Sequence, residues 1–383
     1  MKVWIVNPFD NLPPEGFRPQ RYWLMARAFA AAGHDVTLWT SDFSHALKRP
    51  RALVGEVKGD GFRVLMVPTP PYPRNICLRR VISHRALARR WRRMAGAETR
   101  PDLVIASSPP LSLCAAARGY CAGRGVPFVV DVMDAWPETF ERIAPRVLLA
   151  PLARAARANY RAAAAITVVA ERYLDLVRGY GAAAPARLFH HGIELRGGPA
   201  APVGRAKEFT IVYAGNMGAS YDLATVVEAV KGMDWARLDL AGGGPDEARL
   251  RALAGGCPRV AFRGYLGDEA LRGLLAGADA AVVPMFAESC VGVPYKLADY
   301  AAAGLPVLNS LEGETARLVS ECGAGVNYSA GDVRSFARAV DSLRGAGVGA
   351  FRDGAARLAA LFDAQAVYGE YVSWVCGAVA KAR

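Results

Sequence analysis

Short apolar runs alternate with longer stretches of helical periodicity along the whole chain. In the first half, Lys2–Val6, Val36–Thr40, Arg63–Val67, Leu103–Ser107, Phe128–Val132, Ile166–Val169 and Leu188–His190 read as strands. Most are apolar at consecutive positions rather than at every second one, which marks strands buried on both faces. Between the first two, Gln20–Ala32 repeats its apolar residues at helical spacing and stops at Gly33. The pattern resumes with strands at Phe209–Tyr213, Leu238–Ala241, Ala280–Val283 and Pro306–Leu308 and helices at Leu223–Lys231 and Glu312–Cys322. The last segment, Phe351–Val379, carries Leu358, Leu361, Phe362, Tyr368, Tyr371, Val372 and Trp374 at helical spacing, read as packing residues. Strands and helices in alternation predict an α/β architecture of parallel sheets wrapped by helices.

A chain of 383 residues exceeds the size at which one hydrophobic core keeps growing, so two domains of roughly 180 residues are expected. The Gly/Pro-rich run Arg196–Arg205 supplies the hinge between them. No run reaches the ~20 apolar residues of a membrane span, and the N-terminal apolar stretch is too short for a signal peptide, so the expected location is the cytoplasm. Seven scattered cysteines without a C-x-x-C pair argue against a disulfide framework or a zinc site. Cys290 lies in the key loop but has no histidine at a local motif spacing and is not read as a nucleophile. His190 and His191, adjacent on a strand, point to opposite faces and read as structural.

Charge changes the picture. The chain carries a net +12, and the whole excess lies in residues 1–195. A basic half joined to a neutral half implies a polyanionic partner for the first half: a membrane surface, an anionic lipid carrier or nucleic acid. Residues 74–93 contain eight arginines. On a helical projection Leu87, Trp91 and Met94 share one face while Arg85, Arg89, Arg92 and Arg93 share the opposite one. Such a helix either docks on the protein by its apolar stripe or lies on anionic lipid. Arg142, Arg146, Arg154, Arg157 and Arg161 form a second basic stripe. Nucleic acid is disfavoured because aromatic residues, Trp91 apart, are not interleaved with these cations.

The chemistry concentrates at Pro284–Pro306. A strand ends at Pro284, a loop carries Glu288, and Gly292, Val293 and Pro294 lead into a helix containing Lys296. Strand, loop and helix start present free backbone N–H groups of partial positive charge, a place that holds anions. The run resembles the signature of the retaining "group 1" sugar-nucleotide glycosyltransferases: Glu288 stands in the first position of its Glu-x(7)-Glu, and Ala302–Val307 matches the closing A-x-G-x-P-V. The eighth residue after Glu288 is Lys296 instead of the second glutamate. Pro294-Tyr295-Lys296 is similar to the P-x-K of a branch acting in bacterial surface-polysaccharide (O-antigen, capsule, exopolysaccharide) assembly.

That resemblance implies the GT-B fold: two Rossmann-like doubly wound parallel-sheet domains facing a cleft. It implies an acceptor-binding domain over 1–195, a linker over 196–207, a donor domain over 208–360 and a final helix, 361–383, crossing back to the first domain. Donor contacts follow from it. Y-A-G-N-x-G at 213–218 resembles the family's glycine turn, with Gly215, Asn216 and Gly218 approaching the diphosphate. Arg263-Gly264-Tyr265 resembles the turn that meets the base, where Tyr265 either stacks or simply packs. Gly292 and Val293 open the signature helix. Gly16 stands in the first loop, where the family has a glycine turn near the diphosphate, or is a plain turn residue. Triple glycine at 242–244 lacks the Lys-Ser/Thr of a phosphate loop. In D-x-W-P-E at 134–138, similar to the same branch, Asp134 contacts the acceptor hydroxyl or caps the next turn.

The expected activity is transfer of a sugar, with retention, from a nucleotide diphosphate sugar, a UDP-sugar favoured, to a lipid-linked or oligosaccharide acceptor. Glu288 would hold the sugar and stabilise its oxocarbenium-like centre, Asp134 would orient the acceptor, and Lys296 would meet the diphosphate. No D-x-D follows a strand, in keeping with the metal-independent chemistry that the resemblance implies. The enzyme would sit at the inner face of the plasma membrane through residues 74–93 and 142–161. A sugar-nucleotide epimerase of the same fold and a non-catalytic subunit binding a partner enzyme are the alternatives.

Overall fold

A computed structural model describes residues 1–141, 143–195, 208–287 and 289–382. Three expectations, the linker 196–207, Arg142 and Glu288, fall at least in part outside the described residues. The chain divides into two compact units, Met1–Gly192 with Ala364–Arg383, and Ile193–Asp363.

The first unit runs β1 (Lys2–Val6), α1 (Arg21–Ala31), β2 (Asp35–Ser41), β3 (Glu56–Lys58), β4 (Arg63–Val67), α2 (Leu78–Ala97), β5 (Leu103–Ser108), α3 (Leu111–Ala122), β6 (Phe128–Val132), α4 (Arg146–Arg161), β7 (Ala165–Val168), α5 (Arg172–Gly179) and β8 (Ala186–Leu188). The sheet order is β8-β7-β6-β5-β1-β2-β4-β3, parallel throughout except for the β3–β4 edge. A two-stranded antiparallel ribbon, Phe43–Ser44 with Arg49–Pro50, follows β2.

Both faces of this sheet are covered, which is why its strands are apolar without alternation. On one face Trp4, Trp39, Trp91 and Tyr120 pack edge to face or tilted, with centroids 5.2–6.4 Å apart. Trp91 is the anchor of α2: with Leu87 it is buried, while Arg85, Arg89, Arg92 and Arg93 face solvent. The apolar stripe read from sequence thus docks on the protein. The first turns of α2 do not, for Leu78, Val81 and Ile82 are exposed.

The opposite face is closed by α1 and by the last helix of the chain, Ala364–Ala382, which belongs to this unit. Between them lies a buried ion pair that sequence reasoning missed. Arg21 donates Nε and Nη2 to the two oxygens of Asp131 at 2.9 and 2.8 Å, and Nη1 to the carbonyls of Phe189 and His190. Tyr22 and Thr167 hydroxyls complete the shell at 2.7 and 2.6 Å. The strand expected at Leu188–His190 accordingly ends at Leu188: the next two carbonyls serve the guanidinium.

The second unit runs β9 (Phe209–Ala214), α6 (Leu223–Lys231), β10 (Ala236–Ala241), α7 (Glu247–Ala254), β11 (Val260–Gly264), α8 (Asp268–Ala276), β12 (Ala280–Val283), α9 (Tyr295–Ala302), β13 (Val307–Asn309), α10 (Glu314–Cys322), β14 (Gly325–Asn327), α11 (Val333–Ala346) and α12 (Arg352–Ala360). Its sheet order is β11-β10-β9-β12-β13-β14, every pair parallel. One face is filled from α6, α7 and α11, the other from α9, α10 and α12. The continuous helical pattern of Phe351–Val379 breaks at Leu361–Asp363. There the N–H groups of Leu361, Phe362 and Asp363 still bond back to α12, while the Phe362 carbonyl accepts from Ile193 N–H at 2.8 Å and Ile193 pairs with Asp363.

Candidate donor and acceptor sites

In the second unit the strand order reverses between β9 and β12. Open doubly wound sheets bind ligands outside the carboxyl ends of their strands at such a reversal. The loops after those two strands are joined there: Asp222 N–H donates to Pro284 O at 2.8 Å, and Tyr221 pairs with Met285 in an antiparallel bridge.

The glycine turn after β10 closes against the first of these loops. Gly215 N–H donates to Ala241 O at 3.0 Å and Met217 N–H to Gly243 O at 2.8 Å. A Cβ on Gly242 (φ 110°) would lie 2.1 Å from the Gly215 oxygen, and one on Gly244 (φ 157°) 2.3 Å from the Met217 oxygen. The triplet therefore exists for backbone-to-backbone approach. Asn216 is exposed at the tip of the turn and Gly218 is buried at its base; the Asn216 carbonyl accepts from the Tyr213 hydroxyl at 2.6 Å.

Lys296, in the first turn of α9, is only 8 % exposed. Its Nζ donates to the Tyr213 hydroxyl at 3.3 Å and lies 3.6 Å from the ring centre of Tyr221 and 4.7 Å from that of Tyr213. Desolvation pushes the ammonium down to about 7, weakly opposed by the charge of Asp299. Among the described residues Lys296 makes no ion pair. A Cβ placed on Gly215 would sit 3.4 Å from Nζ, so the cation lies directly beneath the glycine turn. Gly292, whose carbonyl accepts from Thr315 Oγ1 at 2.8 Å, and buried Val293 fix the chain just before α9.

Arg263 and Tyr265 lie at the end of β11. Arg263 Nε and Nη2 both reach Asp239 Oδ1 at 2.8 Å. Tyr265 is 85 % exposed, and its ring lies 3.1 Å from where a Cβ on Gly243 would stand. It is not a core residue; its ring lies against the glycine turn with most of its surface open.

In the first unit Gly16 closes the single 3-10 turn Pro13–Glu15, with φ 84° and its N–H on Pro13 O at 2.9 Å. Asp134 follows β6. Its Oδ1 accepts from Ala135 N–H at 2.9 Å and Thr139 Oγ1 at 3.2 Å, its Oδ2 from Trp136 Nε1 at 3.2 Å. Burial raises its pKa, and those three donors and the charge of Arg80 oppose the rise. Asp134 does brace the following turn, yet a carboxylate has about four lone-pair sites. The capping and acceptor-contact readings are compatible in this geometry.

Two family models match the chain. Residues 208–345 match the model for glycosyl transferases group 1, and residues 19–192 that for the glycosyl transferase 4-like domain. The chain belongs to the group 1 glycosyltransferases. No curated protein matches it in sequence. Sucrose-phosphate synthase from Thermosynechococcus elongatus superposes with a TM-score of 0.79 at 16 % identity over 99 % of both chains. HepE from Anabaena, in complex with UDP, gives 0.69 at 13 % over 98 % of this chain and 100 % of that one. The lipopolysaccharide outer core galactosyltransferase WaaB gives 0.65 at 14 % over 100 % and 99 %. At these identities the likeness speaks for the fold, which is GT-B.

For this group 1 glycosyltransferase, sequence reading missed Tyr213, Tyr221 and Tyr300 around the donor-side lysine. Tyr300 accepts from Ala214 N–H at 2.8 Å and so ties α9 to the end of β9. The only signal was the tyrosine content of Y-A-G-N and A-S-Y-D, which does not show that both rings turn toward one amine. Among the described residues no three His, Cys, Asp or Glu side chains gather where they could hold a metal ion, and no helix is long and apolar enough to cross a membrane.

Proposed function

We propose that the protein transfers a sugar, with retention and without a metal, from a nucleotide diphosphate sugar to a lipid-linked or oligosaccharide acceptor in bacterial cell-surface polysaccharide biosynthesis. The observation that carries this reading is Lys296: a buried amine that makes no ion pair among the described residues, under a glycine turn and in the first turn of a helix, at the reversal point of the sheet. Burying a charge unpaired is expensive, and a diphosphate is the anion that would relieve it, assisted by the positive end of the α9 dipole. As the leaving diphosphate gains charge, Lys296 and these dipoles stabilise it. Tyr265 offers an open face for the base, UDP being favoured, and Arg263 frames it. Glu288 would hold the donor sugar, and Asp134 would orient the acceptor hydroxyl and draw off its proton. HepE in complex with UDP and the galactosyltransferase WaaB, which share the fold, agree with this reading.

Association with the inner face of the plasma membrane belongs to the same proposal. Ile76, Leu78, Val81 and Ile82 are exposed beside Arg74, Arg79 and Arg85, and Ile143, Val147 and Leu148 are exposed beside Arg146. Apolar residues among arginines suit an anionic bilayer, where each cation near the surface contributes about 1 kcal/mol.

Thermal-shift measurement of the protein with UDP, GDP, dTDP and CMP tests the donor reading. A ligand at 100 times its Kd adds about 2.7 kcal/mol. One nucleoside diphosphate should stabilise the wild type, and Lys296→Ala should lose that shift; no shift with any of them would overturn the reading.

A further inference from the structure

The carboxyl ends of the first unit's strands bring together a group of side chains that the donor chemistry does not use. Phe9 comes from the loop after β1, His45 and Lys48 from the ribbon after β2, Tyr72 from the loop after β4, Arg80 and His84 from the start of α2, and Trp136 from the loop after β6. Arg80 is the centre. Its guanidinium carbon lies 5.0 Å from the ring centre of Trp136, 5.7 Å from Phe9 and 5.8 Å from Tyr72, and its Nε faces His84 Nε2 at 3.4 Å. Lys48 Nζ lies 5.4 Å from the Tyr72 ring centre and 3.3 Å from His45 Nδ1. Phe9 packs on both imidazoles, at 4.9 and 5.6 Å.

Charge in this cluster is one-sided. Neither Arg80 nor Lys48 makes an ion pair among the described residues, and Asp134 is the one carboxylate whose charge acts on Arg80. Burial, with the neighbouring cations adding to it, pushes Lys48 down to about 8 and His45 and His84 each to about 3. Cations are thus crowded and desolvated with no ion-pair partner among the described residues and only the more distant charge of Asp134 to offset them, an arrangement that an arriving anion stabilises. Phe9, His45, Lys48 and Arg80 stay partly exposed, while Tyr72, His84 and Trp136 back them from within.

We propose that this cluster is an acceptor subsite that takes a sugar bearing a phosphate, the phosphate on Arg80 and Lys48 and the sugar ring against the aromatic edge formed by Phe9 and His45. Arg80 presents a planar fork suited to phosphate and Lys48 a mobile point charge. The motif D-x-W-P-E then serves acceptor binding twice, Asp134 at the hydroxyl and Trp136 as the floor under Arg80. The inference rests on the glycosyl-transfer reading and adds the chemical class of the acceptor. A free sugar phosphate and a sugar linked through phosphate to a lipid carrier share this chemistry.

Isothermal titration of the full chain with α-glucose 1-phosphate, glucose, and the ten-carbon alkyl phosphodiester of glucose 1-phosphate tests it. Glucose 1-phosphate should bind at least ten-fold tighter than glucose. Arg80→Gln and Lys48→Gln should each weaken it by about ten-fold, as expected for a charged hydrogen bond, and saturating UDP should not displace it from the wild type. The two Gln variants guard each other against misfolding, since Lys48 contributes little packing, and UDP binding on the same samples reports their integrity. Tighter binding of the alkyl ester assigns the lipid-linked source; equal binding assigns the free one. The proposal is overturned if glucose 1-phosphate does not bind, if both Gln variants bind it as well as wild type, or if UDP displaces it. Intact UDP binding alongside any of these results removes only the subsite; absence of UDP binding in the wild type removes the donor reading itself.

Discussion

Replacing Lys296 with methionine should make the unliganded protein more stable and the nucleotide weaker bound. Methionine keeps the unbranched length and removes the charge. The ammonium is displaced from its ordinary 10.5 to about 7 by desolvation; at about 1.4 kcal/mol per unit, that is a burden of about 5 kcal/mol on the charged form. The pH dependence follows from the direction of the shift. Below about 7 the amine is charged in folded and unfolded chains alike, and the wild type carries the full burden. Between there and 10.5 only the unfolded chain holds the proton, so wild-type stability climbs with pH. Urea denaturation of both proteins at pH 6, 8 and 10 reads this directly. Lys296→Met should gain about 4–5 kcal/mol at pH 6, with the gain shrinking to about 1 kcal/mol by pH 10, and should bind UDP at least ten-fold more weakly. A variant less stable than wild type at pH 6, or a gain independent of pH, would refute the reasoning.

Gly242→Ala should abolish the donor turn, because its Cβ would stand 2.1 Å from the Gly215 oxygen; UDP binding should fall by more than ten-fold, measured by titration, and a value equal to wild type would contradict the close approach. Arg21→Met leaves Asp131 buried and unpaired and should cost about 3–5 kcal/mol in urea unfolding, with Arg21→Met/Asp131→Leu recovering part of the loss. Because that pairing lowers the Asp131 pKa, its stabilisation is complete above the ordinary Asp value and should be lost as pH falls through the lower folded value, a dependence that the double variant lacks. Asp134→Asn should cost about 1–3 kcal/mol, since the amide oxygen keeps the Ala135 and Thr139 donors while its nitrogen faces the Trp136 Nε1–H, and should slow transfer by about 10²–10⁴-fold. With a raised pKa at this carboxyl, the wild-type rate should fall on acidification through a value above that of free aspartate, and the residual rate of the variant should not.

Much of the fold was legible because parallel strands buried on both faces write themselves as unbroken apolar runs. Phe209–Ala214 and Ala280–Val283 are such runs, and the loops that follow them are where the sheet order reverses. The positions of Gly215, Gly292 and Lys296 were legible for the same reason, since each lies within a few residues of a strand or helix end. What surrounds them was not. Tyr213 and Tyr221 enclose an amine some 80 residues further along the chain, an encounter fixed by sheet order and not by local pattern. Asp131 and Asp134 look alike in V-D-V-M-D, but one faces Arg21 in the core and the other stands past the strand's end. Telling them apart requires knowing what packs on that face of the sheet. The arginine-rich helix shows the same limit. Its periodicity gave the docked stripe of Leu87 and Trp91, while Arg80 joins four loops whose meeting no period encodes.

At pH 8, above the value of about 7 to which burial lowers it, the Lys296 amine is mostly uncharged in the free protein and should take up a proton when a nucleoside diphosphate arrives. Calorimetric titration with UDP at pH 8, repeated in buffers of different ionisation heat, measures the protons taken up per ligand bound. Uptake approaching one proton in the wild type and none in Lys296→Ala, with markedly weaker binding there, is the predicted result. UDP binding without proton uptake, or equally tight in the variant, would contradict it.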